Sequence, residues 1–138
     1  MKSPTRHLLL AALLLALGSA ARAFDLTVEV LNARSGQGTV DGALFGGTDN
    51  WLRQPLQGAR QPAGAKVVLV YRDLPAGRYA LSVFHDENGN GKLDANVAGI
   101  PLERYGFSRD ARGPMGPPSF ADAAVDLRAD TTFTINLH

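Results

Sequence analysis

The stretch from Arg78 to Asp94 organises the chain, and it reads Arg-Tyr-Ala-Leu-Ser-Val-Phe-His-Asp-Glu-Asn-Gly-Asn-Gly-Lys-Leu-Asp. In its first half, Tyr, Leu and Val alternate with Ala, Ser and Phe, and such alternation is typical of a β-strand. Its second half contains two Asn-Gly pairs, which tolerate positive φ and form tight turns. The stretch therefore predicts a strand that ends in a compact polar loop.

Other short segments with strand patterns surround this stretch. They are Phe24–Leu31, Thr39–Phe45, Lys66–Tyr71, Phe120–Leu127 and Thr131–Leu137. Lys66–Tyr71 is apolar on both faces, which predicts a central strand. Gly42, inside the second segment, predicts a bulge or a close approach of the backbone. With no convincing helix after the N-terminal region, the pattern predicts an all-β fold: an antiparallel β-sandwich of about six or seven strands, transthyretin-like or immunoglobulin-like.

Two long connections separate the predicted strands. Gly46–Ala65 is rich in Gly and Pro, with a possible helical turn around Asn50–Gln54 capped by Thr48 or Asp49. Ala95–Pro118 has little periodicity. Loops of this length in compact domains are often functional, so the second connection is a candidate binding region.

The N-terminus has the pattern of a secretory signal peptide. Basic residues precede the apolar run Leu8–Leu17, and Ala21-Arg22-Ala23 forms a small-x-small cleavage signal. The alternative is an uncleaved membrane anchor, but a span needs roughly 20 apolar residues. We therefore expect residues 1–23 to be a signal peptide. Residues 24–138 would then be one exported domain, periplasmic or extracellular, with no stable membrane insertion after cleavage.

Composition narrows the classes of function. The chain has no Cys, which excludes disulfides and a lipid-modified N-terminal Cys. Cleavage would remove Lys2, Arg6 and Arg22 from the 14 basic residues, so 11 would face 13 acidic ones. A nucleic-acid-binding surface needs clustered Lys and Arg, so we expect no nucleic-acid partner.

The loop after the organising strand matches the first half of a calcium-binding loop. Side-chain oxygens recur at every second position before Gly91, in the pattern D-x-[DN]-x-[DN]-G. The twelfth position, which is Glu in the helix–loop–helix version, is Val97. The candidate Ca²⁺ ligands are Asp86, Asn88, Asn90, the Lys92 carbonyl, Asp94 and, from the next loop, Glu103. The alternative is a hairpin end that binds no metal.

The sequence also leaves an enzyme open. His85 could act with Asp86 or Glu103 as a general acid–base pair in a small hydrolase or isomerase. However, neighbouring residues in a strand point to opposite faces, which separates His85 from Asp86. No Ser or Cys lies in a recognisable nucleophile elbow, and we predict no catalytic residue.

Three aromatic residues of the connections are candidates for ligand binding. Trp51 could stack on a sugar or peptide, and Tyr105 and Phe107 could form a binding rim. The alternative is that they cover the hydrophobic core.

Several of these motifs together resemble one known family. They are residues 74–80, 85–94, 99–108 and 118–123, and their order and spacing resemble the secreted bacterial domain-of-unknown-function family 2141. The hairpin around residues 74–80 also resembles transthyretin-like and collagen-adhesin B-type sandwiches. Transthyretin-like hydrolases of the ureide pathway end in Tyr-Arg-Gly-Ser, whereas this chain ends in Thr-Ile-Asn-Leu-His.

The resemblance implies an extracytoplasmic sandwich domain and brings no established activity. Together with the loop, it favours a non-catalytic module that binds an envelope or extracellular protein or glycan through residues 85–108. A purely structural envelope protein is a further alternative.

Overall fold

The computed structural model describes residues 21–138, and these form two β-sheets packed face to face. The all-β sandwich is confirmed, with eight short strands. They are β1 Ala23–Leu31, β2 Thr39–Phe45, β3 Gln57–Pro62, β4 Lys66–Pro75, β5 Gly77–Asp86, β6 Tyr105–Phe107, β7 Val125–Leu127 and β8 Thr131–Asn136. One sheet has the order β4-β1-β8; the other has the order β3-β2-β5-β6, with β7 also paired to β5. Most of the predicted signal peptide lies outside the described residues.

Alternating side chains build the main core between the sheets. Leu26, Val28 and Val30 of β1 are each at most 1% exposed, and Leu81 and Val83 of β5 are fully buried opposite them. Burial of side chains of this size stabilises the fold by about 1.5–3 kcal/mol each. The period-two pattern of the sequence thus positions the loop that follows β5.

The central strand of the smaller sheet is β1, and the prediction that Lys66–Tyr71 is central was wrong. β1 pairs antiparallel with β4 and parallel with β8, so β4 lies at the edge. Val68 of β4 is 41% exposed. Apolar residues on both faces gave the misleading signal, because the outward Val side chains of β4 remain partly in solvent.

Strand β3 was not predicted, because Gly46–Ala65 reads as a connection. Its residues, Gln-Gly-Ala-Arg-Gln-Pro, have no hydrophobic alternation. Antiparallel pairing with β2 holds the strand. The amides of Arg53 and Gln54 donate to the Asn50 carbonyl, so a turn spans the predicted residues Asn50–Gln54. It follows a 3₁₀ turn at Thr48–Asn50, whose N-cap is Gly47 without a side-chain cap, rather than Thr48 or Asp49.

A second, smaller core lies on the outer face of the larger sheet. It joins Phe45, Ala80 and Phe107 to a short helix, α1, at Phe120–Ala123. The prediction of one strand over Phe120–Leu127 was therefore wrong in its first half. Ser119 accepts a hydrogen bond from the Asp122 amide and caps the helix, a local bond that competes with strand pairing.

The hydroxyl of Ser108 connects the second core to β5. On one edge of β5, β6 pairs with residues 82–84 and β7 pairs with residues 77–79. Between these pairings, Ser108 Oγ accepts from the Leu81 amide at 2.9 Å and donates to the Ala123 carbonyl at 2.6 Å. One buried hydroxyl therefore satisfies two backbone groups at the switch between strands.

In the part of the chain that the structure describes, no helix has the length and apolar character needed to cross a membrane.

Candidate functional site

Asp86, the last residue of β5, builds the start of the polar loop. Its side chain is almost fully buried. One carboxylate oxygen accepts from the Asn90 amide at 3.2 Å, and the other accepts from the Gly91 amide at 2.8 Å. Gly91 has a φ of 76°, which few other residues adopt without strain. The sequence Asp-x-x-x-Asn-Gly thus folds into a turn held by one carboxylate.

Glu103 braces the same loop from its far end. Its two carboxylate oxygens accept from the amides of Glu87 and Asp94, both at 3.2 Å. The Leu102 amide also donates to the Asp94 carbonyl at 2.8 Å. Residues 86–94 and 102–103 are therefore held together, and the Glu103 carboxylate lies at the loop as an acceptor of backbone amides.

Asp94 lies between the two predicted Asn ligands. The side-chain amide of Asn88 donates to it at 2.6 Å, and that of Asn90 donates to it at 2.7 Å. The side-chain oxygen of Asn90 accepts from the Lys92 amide at 3.0 Å. The structure thus brings the predicted ligands to one loop, where each carboxylate already accepts N–H donors. Within residues 21–138, no three His, Cys, Asp or Glu side chains are grouped to hold a metal ion.

His85 is fully buried, and both of its ring nitrogens are hydrogen-bonded to backbone groups. Its Nδ1 accepts from the Arg34 amide at 3.1 Å, so Nδ1 carries no proton. Its Nε2 therefore donates to the Gln37 carbonyl at 2.7 Å. These two bonds fasten the turn after β1 to β5, and they use both ring nitrogens that an acid–base role would need.

The tip of the loop is apolar, a feature that was not predicted from the sequence. Four aliphatic side chains lie in solvent, and they are Leu93 (37% exposed), Val97 (110%), Ile100 (60%) and Leu102 (55%). Asn96 holds the turn between them, because its side-chain oxygen accepts from the amides of Ala98 and Ile100. The signal in the sequence is the recurrence of Leu, Val and Ile in a loop that is otherwise polar.

Trp51 and Phe107 belong to the second core. The Trp51 ring meets Phe45 edge-on at 5.1 Å, and its indole N–H donates to the Pro118 carbonyl at 2.9 Å. Phe107 is 6% exposed. Tyr105 is half-buried, with its ring 4.8 Å from that of His138. Of the three predicted ligand-binding aromatics, Phe107 is thus covered, and Trp51 and Tyr105 keep part of their surface.

Comparison with known protein families gives a match over most of the chain. Residues 28–136 match the family described as "Uncharacterized protein conserved in bacteria (DUF2141)". No curated protein and no solved structure matches the chain.

Proposed function

The chain belongs to the DUF2141 family of uncharacterized bacterial proteins, and we propose that it is an exported, non-catalytic module that binds a cell-envelope or extracellular protein through residues 85–108. The observation that carries this proposal is the apolar loop tip. Exposed aliphatic residues scattered singly need no explanation, whereas a cluster of them marks interaction surfaces. Here Leu93, Val97, Ile100 and Leu102 share one short excursion of the chain.

The bracing of the loop supports binding rather than catalysis. Association is weakened when a loop must be ordered, and preorganisation removes that cost. Asp86 and Glu103 already fix both ends of the loop through backbone amides. His85, the residue that the hydrolase or isomerase alternative uses, has both ring nitrogens hydrogen-bonded to backbone groups. These contacts favour the binding module over the enzyme.

Photocrosslinking in the native cell tests the proposed surface. A benzophenone amino acid at position 97 should yield an adduct of one defined mass. The same amino acid at Met115, which is also solvent-exposed at 99%, is the matched control and should not yield that adduct. Ile100→Asp in the position-97 protein should reduce the adduct at least tenfold, because a charge replaces an apolar contact. Equal adducts from both positions, or an adduct indifferent to Ile100→Asp, would contradict the proposal.

Calcium is a second candidate ligand, and the convergence of Asn88 and Asn90 on Asp94 favours it. The oxygen and nitrogen of each Asn amide exchange places when the terminal torsion turns by half a rotation. Turned in this way, the two amides would present oxygens beside the Asp94 carboxylate, and would give up the bonds that these oxygens now accept from the Asn90 and Lys92 amides. We propose that Ca²⁺ binds this loop with the low affinity of extracellular sites, roughly 10⁻⁴–10⁻³ M.

Thermal unfolding with added Ca²⁺ tests the metal. At 100 times the dissociation constant, binding to the folded state should add about 2.7 kcal/mol of stability. For a domain of this size, the melting temperature should rise by about ten degrees. Asp94→Asn should remove most of that rise, whereas Asp49→Asn, which changes an exposed carboxylate elsewhere, should keep it. If Ca²⁺ at roughly 10–100 mM, which is 100 times the proposed dissociation constants, leaves the wild-type melting curve unchanged, the loop is a hairpin end without metal.

A further inference from the structure

The outer face of the larger sheet contains an open groove beside the second core. Its volume is about 470 Å³, within the range of small-molecule sites. In antiparallel sheets with one solvated face, that face normally carries polar residues. Here the uncovered part carries Ala43, Ser82 and Phe84, with Leu52 at its rim. The main core does not explain why apolar residues line a groove of this volume on a solvated face.

The register of the strands shows how the groove forms. Ala43 of β2 pairs with Gly58 of β3 on one side and with Ser82 of β5 on the other. These three small residues share the outer face and make a low floor across three strands. Phe84 lies two residues further along β5, paired with Asp41, and makes one wall. Phe45 lies two residues from Ala43 in the opposite direction along β2, and Leu52 also lines the groove.

The backbone conformation of Leu52 supports a role in ligand binding rather than in packing alone. Its φ is 57°, a left-handed conformation that is strained for a non-Gly residue of its size, and strain of this kind concentrates at ligand-binding sites. The side chain is nevertheless 39% exposed at the groove rim. The energy of that conformation is therefore not offset by full burial of the side chain.

One end of the groove carries an oriented cationic group. Arg60 donates through Nε and Nη2 to the two carboxylate oxygens of Asp41, at 2.9 and 2.7 Å. Thr39 donates to the same carboxylate at 2.7 Å. These contacts with Asp41 raise the pKa of Arg60 above its ordinary value. Both residues line the groove, and because the Arg60 side chain is 61% exposed and that of Asp41 is 12% exposed, the guanidinium presents the larger surface to a ligand.

We propose that this groove binds a small carboxylate with an apolar body, held by the Ala43–Gly58–Ser82 floor and by Arg60. The apolar body would lie between Phe84 on one side and Phe45 and Leu52 on the other. The carboxylate would accept from guanidinium N–H groups that Asp41 does not use, since Arg has five. Fatty acids and aromatic acids share this chemistry. The site is separate from the 85–108 surface and does not depend on it.

Solution NMR with two probes tests binding in the groove and distinguishes fatty acids from aromatic acids. Laurate represents an acyl chain and 2-naphthoate an aromatic acid. At least one probe should shift the amide signals of residues 43, 58 and 82 in a saturable way. The methyl ester of 2-naphthoate should bind more weakly than its acid, because it lacks the charge that Arg60 meets.

Gly58→Val is the decisive variant. A Cβ at Gly58 meets only the Gly42 carbonyl oxygen, at 4.0 Å, so the side chain enters the groove without a clash. Val also favours strands, so stability should be kept or raised. Affinity for the active probe should fall at least tenfold. Gly64→Val, at a position with nothing within 4 Å, is the matched control and should bind like the wild type.

Three results would contradict the proposal that this groove binds a carboxylate. The first is that neither probe shifts the amide signals at millimolar concentration. The second is that Gly58→Val binds the probe as tightly as the wild type. The third is that the Gly64→Val control loses as much affinity as Gly58→Val.

Discussion

Gly42→Ala should lower the free energy of unfolding by about 3 kcal/mol, near the upper end for overpacked cores. A Cβ at this position would lie 2.4 Å from the Tyr71 hydroxyl and 2.7 Å from a Leu69 methyl group. Both side chains are fully buried, so neither has free space into which to move. Urea unfolding followed by circular dichroism measures the loss.

Tyr71 provides the control for this effect. Among residues 21–138, no partner hydrogen-bonds its hydroxyl, and burial raises the pKa of the phenol. Tyr71→Phe should therefore be neutral or stabilising by about 1 kcal/mol, since an unsatisfied buried group is removed. In the double variant, the Cβ added at position 42 meets no hydroxyl, so the loss should be clearly smaller than for Gly42→Ala alone. Additive losses in this cycle, or a wild-type stability for Gly42→Ala, would refute the steric account.

Asp86→Ala should lower the free energy of unfolding by about 3 kcal/mol and loosen the loop at residues 86–94. The buried carboxylate accepts from the amides of Asn90 and Gly91, and loss of a charged acceptor leaves both without it. Hydrogen exchange at these two amides should become at least tenfold faster. Asp86→Asn keeps one oxygen acceptor and should show about half of the loss.

Lys92→Ala is the matched control for Asp86, because it lies in the same loop with an exposed side chain. It should change stability by less than about 0.5 kcal/mol, as surface substitutions usually do. Protected amides at residues 90 and 91 in Asp86→Ala would show that other contacts hold the loop.

Much of the fold was predictable because it rests on side-chain alternation. β1, β2 and β5 carry a buried residue at every second position, β8 buries Ile135 with Phe133 half-buried, and each strand lies where its pattern predicts. Gly42 was predicted to allow a bulge or a close backbone approach; its pairing with β5 is regular, and the approach comes from the side chains of Leu69 and Tyr71.

The errors arise where a partner, rather than the local sequence, sets the structure. β3 is held by backbone pairing to β2, and a polar strand leaves no hydrophobic period to detect. The edge position of β4 depends on which strand lies beyond it, which no residue in β4 encodes. At Phe120, the N-cap Ser119 favours a helix, although the segment alternates like a strand.

In the loop after β5, some features were also predictable from the sequence and others were not. Asp86, Asn88, Asn90 and Asp94 were predictable as a group, because their spacing places their oxygens on one turn. Glu103 was predicted to reach that turn, and it does so by accepting backbone amides. The apolar tip could not be inferred from spacing, since exposure depends on how far residues 93–102 extend from the sheets.

The parallel pairing of β1 with β8 has a consequence for the kinetics of folding. Leu26 pairs with Thr131, so 105 residues separate two strands that lie side by side. The search for such distant contacts slows folding, and topologies rich in them fold in milliseconds to seconds. Until β8 arrives, β1 has one unpaired edge, which can join a strand of another chain. Folding intermediates should therefore aggregate through β1, and refolding yield should fall as protein concentration rises.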